Sequence, residues 1–178
     1  MKKILLFILA AFTVLLLVSC QEESKETDLT PEELVSSIVA EYEKKFDNIP
    51  SAKLYTTVSE EDADGYMDPL LAGFTFSKDG RDITELTLTD SFAIRIPEGK
   101  SAFEIHCYKV SNAQDVTKIE NLCKDRIEIL KSSNIVLYDP SQDEVIKNAQ
   151  VVTEGNFVFL ISSADNTVAK DVIAKAFN

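Results

Sequence analysis

The chain has 178 residues, 45% of them hydrophobic and 27% charged, a composition that excludes a disordered or fibrous chain and suits one globular domain with a core of its own. Thirty acidic residues against 18 basic ones give a formal charge of −12, which excludes nucleic acid as a partner, because polyphosphate binding needs a basic face. Met1, Lys2 and Lys3 make a short basic start, and Ile4 to Val18 follow as an apolar run interrupted only by Thr13. The run is too short to span a bilayer, which takes about 20 apolar residues, and has the profile of a signal peptide.

The end of that run is more specific than its length. Leu17-Val18-Ser19-Cys20 resembles the lipobox of bacterial lipoproteins. The resemblance implies that residues 1–19 are removed and that Cys20 becomes the N-terminus, carrying a diacylglyceryl group and acyl chains such as palmitate. Two chains anchor stably where one binds marginally. An ordinary cleaved leader and an uncleaved anchor are the alternatives. Loss of Lys2 and Lys3 takes the charge from −12 to −14, so attachment to the membrane must come from lipid rather than from electrostatics. Residues 20–28 read as the lipidated cysteine and a flexible polar tether, and 29–178 as a single domain on the extracytoplasmic face of the cell membrane.

The domain opens with strong helix signals: Thr30 as N-cap, Pro31 at the first position, Glu33 closing a capping box, and Leu29 placed to staple onto Leu34. Leu34, Ile38, Tyr42 and Phe46 recur every four residues, predicting a helix that ends near Asp47. Residues 51–81 are less regular, with a short strand at Leu54 to Val58 and a helical turn at Pro69 to Ala72. Strands are expected at Ile83 to Thr89 and at Phe92 to Ile96, where Phe92, Ile94 and Ile96 alternate with Ala93 and Arg95 as in a half-buried strand. After a turn at Pro97 to Lys100, Ala102 to Val110 returns as the partner strand. Val116, Ile119, Cys123, Ile127 and Leu130 mark an amphipathic helix between Asn112 and Lys131. Asp139-Pro140 opens a helical turn, and Val151-Val152, Gly155 and Phe157 to Ile161 read as a hairpin leading into a central strand. Thr167 to Phe177 closes the chain as a helix. The order predicts an α+β fold, a two-layer sandwich of mainly antiparallel sheet with helices packed on one face.

The segments "SFAIRIPEGKSAFEIHCYKV", "VTKIENLCKDRIEILKSS", "YDP" and "VIKNAQVVTEGNFVFLISSADN" resemble a family of small bacterial lipoproteins of unknown function, common in Gram-positive anaerobes. The likeness runs from about Thr87 to the C-terminus. It implies a fold and a cell-surface address but no activity, and it brings no site residues with it.

Three groups of residues invite chemistry. His106, the single histidine, lies on a strand with Glu104 and Tyr108 on the same face, a pairing that suits a general base. Alternation turns Phe103, Ile105 and Cys107 inward, so Glu104, His106 and Tyr108 are expected on a solvated outer face, and a small hydrolase using Glu104 and His106 is the alternative. Glu60, Asp62, Asp64, Gly65 and Asp68 fall at EF-hand spacing, but Leu71 stands where the bidentate Glu belongs and Pro69 breaks the exit helix. A solvated acidic loop is the expectation and a divalent-cation site the alternative. Cys107 and Cys123 are assigned to core faces of different layers. These layers lie about 10 Å apart, against the roughly 4.4 to 6.8 Å between Cα atoms that a disulfide needs. They read as free buried thiols, with a bridge as the alternative. No cofactor is expected. The resulting expectation is a membrane-anchored, non-enzymatic binding or interaction module for an unidentified extracellular protein or ligand.

Overall fold

The computed structural model describes residues 27–58, 60–61 and 63–178. The leader, Cys20 and most of the expected tether lie outside the described residues, as does Asp62 of the acidic loop. Helix α1, Pro31–Lys45, starts as its sequence dictates. Glu33 N–H donates to Thr30 Oγ at 3.3 Å, and Thr30 N–H donates to Glu33 Oε2 at 2.8 Å. Leu34, Ile38 and Tyr42 are buried along one stripe of this helix, and each fully buried side chain of that size contributes about 1.5 to 3 kcal/mol relative to exposure.

Strand β1, Ala52–Thr56, is followed by helix α2, Pro69–Phe76. The expected strand from Ile83 is instead a 3-10 turn at Glu85–Leu88, and strand β2 begins only at Thr89, running to Pro97. Strand β3 spans Glu104–Val110, and helix α3 spans Val116–Ser132. Two short helices follow, α4 at Ile135–Tyr138 and α5 at Gln142–Asn148. The hairpin of β4, Gln150–Glu154, and β5, Phe157–Ser162, turns at Gly155, whose φ of +57° falls in the left-handed region that glycine adopts without cost. Helix α6, Thr167–Ala176, ends the chain.

The five strands form one antiparallel sheet in the order β1-β2-β3-β5-β4, so the class is α+β and β3 lies at the centre. The helices do not keep to one face. Leu34, Val35, Ile38 and Tyr42 of α1, with Val168, Ala169 and Ile173 of α6, cover Ala93, Ile105, Cys107, Phe157, Phe159 and Ile161. On the opposite face Ile119, Leu122, Cys123 and Ile127 of α3, with Ala72 and Phe76 of α2, cover Phe92, Ile94, Tyr108, Val110, Val158 and Leu160. The sheet is therefore a middle layer, because its central strands are apolar on both sides and each side needs its own amphipathic partner. Ala93 and Arg95, expected to face water, are buried beneath the α1 side instead.

Pro69 begins the helical turn expected at Pro69 to Ala72, which runs on to Phe76. It occupies the first helical position, where its missing N–H costs nothing, and Asp68 accepts the Leu71 N–H at 2.9 Å as the cap. The far side of α2 lies hard against the following loop: a Cβ placed on Gly73 would stand 3.0 Å from the Arg81 carbonyl oxygen and 3.2 Å from that of Gly80. Gly73→Ala is accordingly expected to destabilise the fold by about 1 to 3 kcal/mol, measured as a lower urea midpoint at unchanged slope.

Candidate functional site

Alternation along β3 places Glu104, His106 and Tyr108 on one face, as expected from the sequence. That face is not solvated. All three residues are 0% exposed, because α2 and α3 close over this side of the sheet. His106 stands across from Ile94 on β2 and Leu160 on β5, and the Phe76 ring packs against it edge-on, with centroids 6.0 Å apart.

A buried carboxylate must find a partner or lose its charge. Glu104 finds Arg126, on the inner flank of α3. Arg126 Nε donates to Glu104 Oε2 at 2.9 Å and Nη2 donates to Oε1, a two-point clasp, while Nη1 donates to the Thr75 carbonyl at 3.1 Å. One guanidinium thus joins the central strand, α3 and the last turn of α2. His106 Nε2 lies 3.2 Å from Glu104 Oε2 but off the line of a hydrogen bond, and that nitrogen is buried without a partner. Its Nδ1 lies 3.1 Å from the Tyr108 hydroxyl.

Burial alone would raise the Glu104 carboxyl, yet the Arg126 charge and bonds, with His106, hold it down at about 2. Burial lowers His106 below its ordinary value, against the pull of Glu104, so the ring is neutral. In that state the ring carries a single N–H, and Nδ1 and the Tyr108 hydroxyl share one hydrogen bond. Burial lifts Tyr108 well above the usual tyrosine range. The result is a charged pair and a neutral imidazole inside a buried layer, an arrangement that ties together three elements.

Arg126 carries no catalytic signature in the sequence, but its spacing was legible. It falls three residues after Cys123 and four before Leu130, within the stripe of Ile119, Leu122, Cys123, Ile127 and Leu130 that is buried on α3. A charge inside an apolar stripe calls for a buried opposite charge elsewhere.

The remaining candidates separate. Cys107 points to the α1 side of the sheet and Cys123, on α3, to the other, so the sheet stands between two free thiols that burial pushes above the ordinary range. In the acidic loop Glu60, Asp64 and Asp68 are exposed, and the Asp68 carboxylate is engaged as the α2 cap. Among the described residues no group of three His, Cys, Asp or Glu side chains is placed to hold a metal.

Arg95 was not foreseen. It is 9% exposed on the α1 face of β2, with its guanidinium carbon 5.2 Å from the centre of the Phe103 ring. Nη2 donates to the Pro50 carbonyl, and Nη1 is buried with no partner. Burial lowers its affinity for the proton and the charge of Glu43 partly restores it. Pro50 and Phe103 also line a small cleft of about 120 Å³ with Tyr42, Phe46, Ile49 and Ser163.

Residues 82–163 match the family model of a domain of unknown function (DUF4358). The match takes in β2 to β5 with Arg95 and Arg126, and leaves α1, β1, α2 and α6 outside it. No curated protein and no solved structure matches the chain.

Two outcomes follow from the buried pair. Arg126→Met leaves Glu104 charged and alone, and is expected to cost about 3 to 5 kcal/mol in chemical unfolding, with Glu104→Met/Arg126→Met recovering most of it. Stability is also expected to fall with acid in two stages. His106 binds a proton in the unfolded chain near its ordinary value of 6.5 but not in the fold, so stability present above that pH drains as pH falls below it. The lowered carboxylates, Glu104 among them, act only below the ordinary 4.5. His106→Gln is expected to flatten the loss between about pH 6.5 and 4.5, and to leave the steeper one below it, in urea unfolding at stepped pH.

Proposed function

We propose that this protein is a lipid-anchored component of the extracytoplasmic membrane face whose single α+β domain acts as a non-enzymatic binding module. The observation that carries the reading is the register of its N-terminal signals. A basic start, an apolar run and the box Leu17 to Cys20 are followed, after a short polar stretch, by the capped first turn of α1 at Thr30. The domain thus begins within a few residues of the proposed anchor, and a lipid on Cys20 would hold it close to the bilayer.

The condition of the histidine supports the non-enzymatic part. His106 and Glu104, the residues nominated for hydrolysis, are 0% exposed and sealed beneath α2 and α3. A general base has to reach its substrate through at most one water, which this position does not allow. Among the described residues no three His, Cys, Asp or Glu side chains are grouped to hold a cation, and Asp68 Oδ1 accepts from the Leu71 N–H as the α2 cap.

Cys20→Ser is expected to abolish metabolic labelling with palmitate and to leave the protein either unprocessed or released into the soluble fraction. Normal labelling and membrane partition of that variant would overturn the anchor.

A further inference from the structure

The two edges of the sheet are finished differently. On β1 the backbone groups of Leu54 and Thr56 that point away from β2 are met by the loop that follows. The Thr56 N–H donates to the Gly65 carbonyl at 2.8 Å, and a Cβ on Gly65 would stand 3.4 Å from the Leu54 carbonyl oxygen. The other edge is β4, and no backbone hydrogen bond among the described residues closes its outer side.

The ladder decides which groups lie open there. The Val110 N–H donates to the Asn156 carbonyl at 2.8 Å, so alternation gives Val158, Leu160 and Ser162 of β5 to β3 and leaves Phe157, Phe159 and Ile161 to bond β4. Their partners on β4 are Glu154, Val152 and Gln150. The N–H and C=O groups of Val151 and Thr153 therefore point away from the sheet, and among the described residues none of them has a hydrogen-bond partner. Exposed edge strands commonly carry a Lys, a Pro or a bulge that turns other strands away. Gln150-Val151-Val152-Thr153-Glu154 has no Lys or Pro, pairs with β5 in unbroken register, and is half-buried along its whole length. Val152 and Val151 carry the apolar clusters of the two faces out to this edge.

We propose that β4 is a self-association edge, on which two copies of the chain pair β4 to β4, antiparallel about a two-fold axis at Val152, and join their sheets into one. The strand is complementary to itself in this register. Val151 of each copy faces Thr153 of the other, and the N–H···O=C bonds between them use every open group. Val152 meets Val152 of the second copy at a non-hydrogen-bonded position, where side chains come closest. Gln150 meets Glu154 of the second copy, so an amide donor stands across from a carboxylate and no like charges are opposed. A strand pair of five residues falls short of the roughly 1,200 Å² of a standard stable complex, so the association is reversible. The pairing goes beyond the anchored-module reading and does not depend on the anchor.

The test uses the full chain in detergent micelles, in a Cys20→Ser background, at about 0.5 M salt to screen repulsion between the acidic domains. Val152→Cys is expected to form a disulfide-linked dimer under mild oxidation, because such a pair holds its Cα atoms about 4.5 Å apart. Gln150→Cys and Glu154→Cys are each expected to stay monomeric alone and to crosslink when mixed. The background chain, whose Cys107 and Cys123 are buried, is expected to stay monomeric on the same non-reducing gel. Val151→Pro removes an N–H that is unpaired within one copy, and is expected to abolish the Val152→Cys crosslink. If Val151→Pro does not fold, Gln150→Glu reports instead: it sets carboxylates across from one another and is expected to slow that crosslink several-fold, whereas Gln150→Lys speeds it. A Val152→Cys chain that stays monomeric, equal crosslinking of Gln150→Cys alone, or a Val152→Cys crosslink undiminished by the folded Val151→Pro or by Gln150→Glu would each overturn the pairing.

Discussion

The clasp of Arg126 on Glu104 is the constraint to which the rest of the domain is fitted. Glu104 is on the central strand, with Ser162 of β5 across from it, and is 0% exposed, so a charge at this position needs a partner inside the fold. It is tolerable only if α3 lies with Arg126 directly over it, and that sets how far along the sheet the helix can slide. The third bond, to the Thr75 carbonyl, satisfies one of the orphan acceptors at the end of α2 and fixes that helix as well. Replacing a buried ion pair by apolar side chains is often neutral in stability, so what the clasp contributes is uniqueness of arrangement.

The opposite face is arranged on another principle. There α1 and α6 pack through aliphatic and aromatic side chains, with Phe177 edge-on to Phe157 at 5.2 Å and Tyr42 edge-on to Phe103 at 5.0 Å. Tyr42 donates to the Asp165 carbonyl at 2.9 Å, tying the end of α1 to the start of α6. Arg95 enters this face across from Ile105, and among the described residues no carboxylate lies within ion-pair distance of it, although the charge of Glu43 acts on it from further away. One sheet therefore carries, on one face, a cation clasped by a carboxylate and, on the other, a buried cation bonded to a backbone carbonyl.

Much of this was legible in the sequence, and the failures share a cause. Thr30 to Glu33 predicted the first helix to within two residues of its end, and Gly155 marked the hairpin, because caps and turns are decided by neighbouring residues. The period-2 pattern correctly grouped Glu104 with His106 and Tyr108. What periodicity does not say is whether either face meets water; here neither does, and the polar triplet argued that one did. Arg126 lies 22 residues from Glu104 and Arg95 lies 45 from Pro50, so neither contact has a local signature. The acidic stretch was expected as a solvated loop with a cation site as the alternative, and Glu60, Asp64 and Asp68 are exposed, with Asp68 opening α2 where a helical turn was expected.

The central claim is that Glu104 is buried, ionised and held by Arg126. The side-chain carboxyl of Glu104, followed by ¹³C NMR as pH is lowered from neutral, tests it most directly. The account predicts a resonance that stays in the ionised position through pH 4 and titrates only toward about 2. A midpoint near the ordinary 4.5 would place the carboxylate in water, and the clasp, with the arrangement of α2 and α3 that rests on it, would be contradicted.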